Sequence, residues 1–436
     1  MLFLDANIFY SYFGRTKLGM TSEPIDPSAL SRFLDSRTDK SLPTSVFIEI
    51  ITHFNCLGGA AANGLVMPFM SYWTRDSVTG ERKFLCGNLF REIVAEMQIL
   101  SGCDNLMEFD EEILKLVLNR MCQKYGVKLL FDTSVVEVRK EDGVISSVIA
   151  FCKADRFELF ADSFVDATGD AELSVLAGCD FKLGREKDGL CQPMTLCFRL
   201  GDVDKQKYAE NRDKINEIYR RLKEEGRIKN PRENVLIFGN FNGSVLHFNT
   251  TRIVKRDPTD PFDLTTAELE AREQVFEMLN FLKKNIEGFE NARVLSTAMQ
   301  IGIRESRKVI GEYTLTVEDL KSLARFDDAI ATANYDIDIH NPEGEGTSHY
   351  YFDRDEWYEI PYRCLVPLGI KNLLVAGRCI SSTHEAQASF RIMPFCAEIG
   401  QAAGVAVSVA KKNGTTVRDV DVSVVRKMLK QEGFIL

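Results

Sequence analysis

Apolar positions recur with helical spacing over Asn88–Ile99 and again over 110–125, where Asp110 stands at the position of an N-cap. From Val127 to Val165 the period shortens to two. VKLLF, SVVEV, VISSVIAF and RFELFADSFVDA read as successive strands, with Asp142-Gly143 as a hairpin turn. Residues 181–250 are mixed: a charged helix is expected over 204–225, with strands over Val235–Phe238 and 245–249. A long helix fits 266–286, opened by Thr265 or Thr266 with Glu268 close behind. Near the end, residues 372–376 predict a buried strand and 394–411 a long helix of small residues, with Gly414 as its C-cap. A glycine- and alanine-rich segment, Leu57–Gly64, separates a compositionally distinct block, residues 1–54, from the rest.

Composition narrows the class without fixing it. A chain of 436 residues, 45% hydrophobic and 27% charged, has material for more than one core and excludes wholesale disorder. A net charge of -10 argues against a nonspecific nucleic-acid binder. No uninterrupted apolar run reaches the roughly eighteen residues of a bilayer span. The opening Met1-Leu2-Phe3-Leu4-Asp5 lacks a basic leader, so a cytoplasmic protein is expected. Eleven cysteines are scattered with no C-x-x-C pair, which points to small core residues in a reducing compartment rather than a zinc or redox motif. No metal site is expected in residues 55–436.

Four separated segments carry the chemistry. Phe164–Asp170 (FVDATGD) is an apolar strand running into a small turn, where Thr168 and Gly169 let backbone approach a ligand and Asp170 can accept a ribose or pyrophosphate-linked hydrogen bond. Leu373–Arg378 (LLVAGR) is a second strand running into a glycine, Gly377. Arg391-Ile-Met393-Pro394 then opens a helix kept thin by Gly400, Ala402, Ala403 and Gly404, with Gln401 among them. The positive end of that helix suits a ring that takes on negative charge, as a reduced flavin does. Leu57-Gly58-Gly59, with Gly64, completes the set as a loop open to close backbone approach. Each piece alone is explained by packing small residues where helix meets strand; the four together favour a flavin.

The stretches ATGDAELSVLAG, IGIRESRKVIGEYTLTVEDL, YEIPYRCLVPLGIKNLLVAGRCISSTHEAQASFRIMP and IGQAAGVAVSVA resemble FAD-dependent oxidoreductases distantly related to the fumarate reductase flavoprotein group. The resemblance runs collinearly over about residues 56–436. It implies an α/β fold of the FAD/NAD(P)-binding three-layer (ββα) type with an inserted mixed α+β substrate domain. The expected divisions are an N-terminal segment 1–54, FAD-binding parts 55–180 and 371–436, and a substrate domain 181–370. It also implies Thr168, Gly169, Gly377, Arg378 and the Arg391–Gly404 segment near FAD, with Val135 meeting the adenine through its main chain.

Such proteins open with a strand, a G-x-G-x-x-G turn and a helix that holds the pyrophosphate. Residues 1–54 contain only Gly14 and Gly19; their G-x-x-x-x-G spacing is not this turn and, although it is that of a P-loop, Met20-Thr21 follows where a P-loop has Lys and Ser or Thr. The flavin half is therefore expected to lack a strand, its helix and its glycines unless residues 1–54 rebuild them, with weakened FAD binding. One way of rebuilding reads Ser45–Glu49 as the second strand, ending in Glu49 as the ribose acid. Alternatively, residues 1–54 resemble the opening of a PIN-domain nuclease, in which Asp5 (with Asn7 behind it) and Glu49 would be two of the several carboxylates that hold a divalent metal.

On the substrate side, His384 in SSTHEA lies between the cofactor strand and the cofactor helix and is the best proton-transfer candidate. Arg304, with Arg363, Arg378 and Arg391, can clamp an anionic or polar substrate. His247 and His349 are further candidates; His53 and His340 read as structural or exposed. The function expected is hydride transfer between a small-molecule substrate and flavin N5, without nucleic acid or membrane partners. A metal-dependent RNase using Asp5 and Glu49, and a flavoprotein remnant without cofactor, are the alternatives.

Overall fold

The structure is a computed structural model that describes residues 2–4, 48–238 and 243–436. Five short strands, β1 (Leu2–Leu4), β2 (Glu49–Ile51), β3 (Lys128–Leu130), β4 (Phe164–Asp166) and β5 (Leu373–Val375), form a parallel sheet in the order β5-β4-β1-β2-β3. Phe3 lies opposite Ile50 on one side and Val165 on the other. Ile50, Ile51, Phe164, Val165, Leu373 and Leu374 are all buried, as expected for parallel strands covered on both faces.

This topology corrects the expectation of a missing strand. Residues 2–4 supply the central strand, and the sheet closes around them. The turn and helix expected after such a strand belong to residues 5–47, outside the described residues, as do Asp5, Asn7, Gly14 and Gly19.

Two amphipathic helices, α1 (Asn88–Ile99) and α2 (Glu111–Lys124), pack together beside the sheet. Asp110 caps α2 as its sequence predicts, accepting from the backbone N–H groups of Glu112 and Ile113. Residues 134–160 form a three-stranded antiparallel sheet whose first turn, Asp142-Gly143, has both residues at positive φ. A second core, separate from the first, gathers apolar residues mainly from Met194 to Ile301. It joins a four-stranded sheet to two helices, Lys205–Glu224 and α3 (Pro261–Asn285). Helix α3 starts five residues earlier than the sequence reading, because Asp260 caps it and Pro261 suits its first position. From Val309 to Ile370 the chain contributes to the first core, although the sequence groups this stretch with the insertion.

The last segments are α4 (His384–Phe390) and α5 (Met393–Asn413). Helix α5 is long and apolar enough to cross a membrane, but 94% of that window is buried inside the protein. It is a core helix, its small residues packed against the strand Ala329–Ala333 and α1. All eleven cysteines are unpaired thiols, ten of them buried.

The central position of β1 has a direct test. Proline at Phe3 removes a ladder donor from a strand paired on both sides, so Phe3→Pro is expected to destabilise the fold by roughly 3 kcal/mol. Urea melts of the two proteins measure it; superimposable curves would show that residues 2–4 are dispensable to the sheet.

Candidate active site

In open parallel sheets, ligands bind beyond the carboxyl ends of the strands. Here β2 ends at Ile51 and runs into Thr52 and His53, while the chain leaving β3 folds back so that Thr133 N–H donates to the Thr52 carbonyl (2.9 Å). Strand β4 ends in Asp166, whose buried carboxylate accepts from Thr168 N (3.2 Å), Thr168 Oγ1 (2.8 Å), Ser174 N (2.7 Å) and Ser174 Oγ (2.6 Å). Burial raises the Asp166 pKa despite these donors. The four bonds fold the turn after β4 tightly back on itself, with Gly169 at φ 79°. Beside it, Ala376 N–H donates to the Asp166 carbonyl (2.8 Å) and Gly377 turns at φ 85°. Thr52, His53, Thr133, Val135, Thr168 and Glu172 are among the residues around a small, shallow hollow of about 20 Å³ at this edge. Gly58, at φ 110°, opens the short helix Gly59–Ala62 after β2, and a Cβ there would come within 2.7 Å of Ala62 Cβ. The end of this helix is tied to the chain leading into Arg304, since the Asn63 carbonyl accepts from Met299 N–H (2.9 Å).

Next to the two glycine turns a hydrogen-bonded chain of side chains runs inward. Arg378 Nη2 meets Asp170 Oδ1 at 2.6 Å, and Ser306 Oγ donates to the same oxygen. The adjacent Glu305 is fully buried. Its carboxylate receives Lys308 Nζ (2.6 Å), His384 Nδ1 (2.7 Å) and the backbone N–H of Gln192 (2.9 Å). Burial pushes the Glu305 carboxyl upward, but the His384 hydrogen bond and the Lys308 ammonium outweigh it and hold the group below the usual carboxylate range. His384 is thus anchored through Nδ1, which leaves Nε2 as its second proton-exchanging atom. Gln387 Nε2 donates to the carbonyls of both Arg304 and Arg378 (3.3 Å each), fixing the two segments side by side.

Arg304 points into a second group of charges. Its guanidinium donates to Pro193 O (2.7 Å), Thr195 Oγ1 (2.6 Å) and Asn249 Oδ1 (3.4 Å), none of them an acid. Burial, then the repulsion of Arg391, Arg232 and Arg252, lowers its pKa to about 9. Arg391 reaches Asp338 Oδ2 (3.4 Å), and Arg252 meets Glu233 (3.2 Å) and His340 Nδ1 (3.0 Å).

The sheet order, the glycine turns and the hollow beside Thr168 are the arrangement of a dinucleotide fold, and the sequence matches accordingly. The chain belongs to the FAD dependent oxidoreductase family, whose pattern it follows over residues 47–429. No curated protein matches it. Among solved structures it is similar to p-nitrophenol 4-monooxygenase from Pseudomonas putida (9% identity, 99% of this chain and 82% of that one, TM-score 0.40). It is also similar to glycine oxidase from Bacillus cereus (11% identity, 93% and 94% covered, TM-score 0.37). A geranylgeranyl bacteriochlorophyll reductase-like protein from Thermoplasma acidophilum matches at 10% identity and TM-score 0.34, covering 76% of this chain and 60% of that one.

For an FAD-dependent oxidoreductase the expected residues fall as follows. Thr168 and Val135 border one hollow, with Gly169 next in the chain after Thr168. Gly377 and Arg378 follow the neighbouring strand, and Leu57–Gly59 follow β2. Met393 and Pro394 form the first turn of α5, while Gln401 and Gly404 lie buried further along it. Four expectations change. Asp170 does not stand open for a ribose, because Arg378 and Ser306 occupy its carboxylate. Glu49 begins β2 rather than ending it and pairs with Lys128 (3.6 Å), so it faces away from the cofactor edge. Its place inside the family match also leaves the RNase reading unsupported. Arg363 pairs with Asp328, away from the arginine group, whereas His349, on Asp336 (2.6 Å), also lies 3.8 Å from the Asp338 carboxylate that Arg391 reaches. His247 is buried in the second core's sheet, its pKa driven down to about 3 first by burial and then by Arg199. Sequence reasoning missed Glu305, Lys308, Arg232, Arg252 and Asp338, and His340 was read as structural or exposed. The one available signal was the alternation of charge in Arg304-Glu305-Ser306-Arg307-Lys308 within an otherwise apolar stretch.

The Glu305 arrangement predicts how stability depends on pH. Its folded pKa lies below the ordinary carboxylate value of 4.5, so its contribution is complete above that pH and is lost as pH falls through the depressed value. Glu305→Gln is expected to lower stability at neutral pH by about 3 kcal/mol, leaving Lys308 buried without its counter-charge. It should also flatten the acid limb of stability, read from denaturant melts across acid and neutral pH. An unchanged acid limb would place the pH dependence elsewhere.

Proposed function

We propose that this protein is an FAD-dependent oxidoreductase acting on a small molecule, with FAD laid along the carboxyl edge of the parallel sheet. The observation that carries the reading is the adjacency of the two strand-end turns: Thr168-Gly169 after β4 and Gly377 after β5 leave the sheet side by side, in register. The residues fit the cofactor. The hollow beside Thr52, Val135 and Thr168 offers hydroxyls and backbone to an adenosine, and the two glycines let the main chain approach without Cβ atoms. Leu57–Gly59 and the first turn of α5, Met393-Pro394, would hold the remainder, with no side-chain cap on α5's first N–H groups. The resemblance to the fumarate reductase flavoprotein group supports the same assignment.

When bound, FAD supplies a two-electron acceptor or donor for hydride transfer at N5. The protein's own residues supply placement and proton handling. Asp170 orients Arg378 beside Gly377. His384 exchanges a proton through Nε2 while Glu305 steadies its other nitrogen, which makes Glu305 a positioning residue for His384. Lys308 keeps Glu305 ionised from the far side. Unpaired cysteines throughout the core support a reducing, cytoplasmic setting. The net acidity supports a partner that is a small molecule and not a nucleic acid.

The purified protein, alone or after incubation with FAD, is expected to show the visible absorbance of oxidised flavin and to release FAD on denaturation. A protein that stays colourless after reconstitution would sink the assignment. Within the flavin-loaded enzyme, His384→Ala is expected to slow flavin reduction by an accepted donor roughly 100-fold while FAD content stays unchanged. Arg378→Ala is expected to reduce both FAD content and flavin reduction. If both variants reduce flavin at the parent rate, neither residue takes part.

A further inference from the structure

The outer face of helix α3 carries apolar side chains that stand open to solvent. Phe262, Leu269 and Phe276 are 82%, 64% and 55% exposed. They recur every seven residues and so line up along one side of the helix, opposite Ala267, Ala271, Val275, Met278 and Leu282, which are buried in the second core. Single exposed apolar residues are ordinary, but a row of three, about 21 Å long at the helical rise, marks an interaction surface. Met299 widens it: Ile301 N–H donates to the Glu268 carboxylate of α3 (2.6 Å), which brings the exposed Met299 alongside the helix.

The polar residues beside the row decide what covers it. Between Leu269 and Phe276 the helix places Arg272 and Glu273 on opposite sides of the row, each about 50° from it. Arg272 reaches Glu268 in the preceding turn (2.9 Å) with nearly half its side chain still exposed, and Glu273 is exposed. One heptad earlier Thr265 and Thr266 straddle the row in the same way, their hydroxyls turned back to the carbonyls of Pro261 and Phe262. Towards the C-terminal end, Lys283 Nζ donates to the Ala292 carbonyl (3.1 Å). A row with a cation on one side and an anion on the other, at one height, is complementary to itself. Two copies related by a two-fold axis parallel to α3 set each Arg272 against the second copy's Glu273, whereas an antiparallel pairing centred on this turn sets like against like. The strict spacing of seven fits the same arrangement, since such a row drifts by about 20° per heptad and two rows stay in contact at a shallow left-handed crossing.

We infer that α3 docks a second copy of this chain, side by side and parallel, through Phe262, Leu269 and Phe276, with Arg272 and Glu273 forming two reciprocal ion pairs. Each apolar residue then meets its own equivalent across the axis, as a two-fold interface requires. Because Glu268 ties α3 to Ile301, the contact also braces the segment that leads into Arg304 and Glu305. The inference goes beyond the oxidoreductase reading and does not rest on it.

Sedimentation velocity of the full chain over a wide range of concentration provides the test, with a dimer expected that dissociates on dilution. Leu269→Lys sets an ammonium in the middle of the row and should raise the dimer dissociation constant roughly hundredfold or more, with an unchanged circular dichroism spectrum. Phe262→Lys, at the most exposed of the three positions, should act in the same direction and keeps the test open if Leu269→Lys fails to fold. Arg272→Glu and Glu273→Arg should each weaken self-association roughly tenfold. A mixture of those two variants should pair again, since every acid then faces an arginine. Orientation is read from Phe262→Cys and Phe276→Cys, each of which should link to its own copy on oxidation; linkage only in a mixture of the two would overturn the parallel arrangement. A chain that stays monomeric at all concentrations, including one that instead sediments with anionic phospholipid vesicles, would overturn the inference. So would a dimer whose dissociation constant is the same in both lysine variants as in the parent.

Discussion

Register across β4 is the constraint on which the rest of the molecule depends. Asp166 lies opposite Leu4 on one side and Val375 on the other, so the chains leaving β4 and β5 depart from the sheet at the same height. The backbone bond from Ala376 to Asp166 carries the ladder one residue further before the chain turns at Gly377. A slip of one residue would turn every side chain of the strand to the opposite layer and part Gly169 from Gly377. The Asp170–Arg378 pair would then fail to form, and with it the alignment of Ser306, Glu305 and His384. The buried Asp166 carboxylate guards against that slip, because its four donors come from its own turn and from the helix start that follows.

Two groups of buried charge sit side by side and are solved differently. Glu305 is saturated: one ammonium, one imidazole and one backbone N–H meet its two oxygens, and nothing is left for a ligand. The arginine group is incomplete, with Arg232 Nη1, Arg252 Nε and Arg391 Nε as well as Glu233 Oε2 and Asp338 Oδ1 lacking hydrogen-bond partners. Low dielectric makes both arrangements high in energy if incomplete. A saturated group fixes geometry, and an incomplete one weighs on stability.

Much of this was legible in the sequence, and the limits have physical causes. The period-two run from Val127 to Val165, the Asp110 cap and the small-residue helix α5 each follow from local patterning, which is why they could be read residue by residue. The strand-end turns at Thr168 and Gly377 were legible because glycine and threonine after an apolar run leave few other conformations. Arg232, Arg252 and Asp338 were not, since their meeting depends on how an insertion of about a hundred residues folds back, and no short-range period encodes that. Glu49 was misread for a subtler reason. A strand and its direction can be inferred from apolar residues, but which residue ends it depends on pairing with β3, where Lys128 lies directly opposite Glu49. Asp170 was misread because a turn acid looks the same in sequence whether it faces a ribose or an arginine more than two hundred positions away.

Completing a parallel sheet and gripping a phosphate make separate demands on a chain. The first asks only for an extended apolar segment between two existing strands, and Leu2-Phe3-Leu4 meets it with three residues. The second asks for closely spaced glycines whose amides converge on an anion, and the spacing of Gly14 and Gly19 does not supply that pattern. Among the described residues the parallel sheet is therefore continuous through β1. Cofactor affinity, on the oxidoreductase reading, then leans on the turns that do have their glycines: Gly58-Gly59 after β2, Gly169 after β4 and Gly377 after β5. On that reading the strand that completes the sheet and the turns that meet the flavin are different residues, joined through the register of β4.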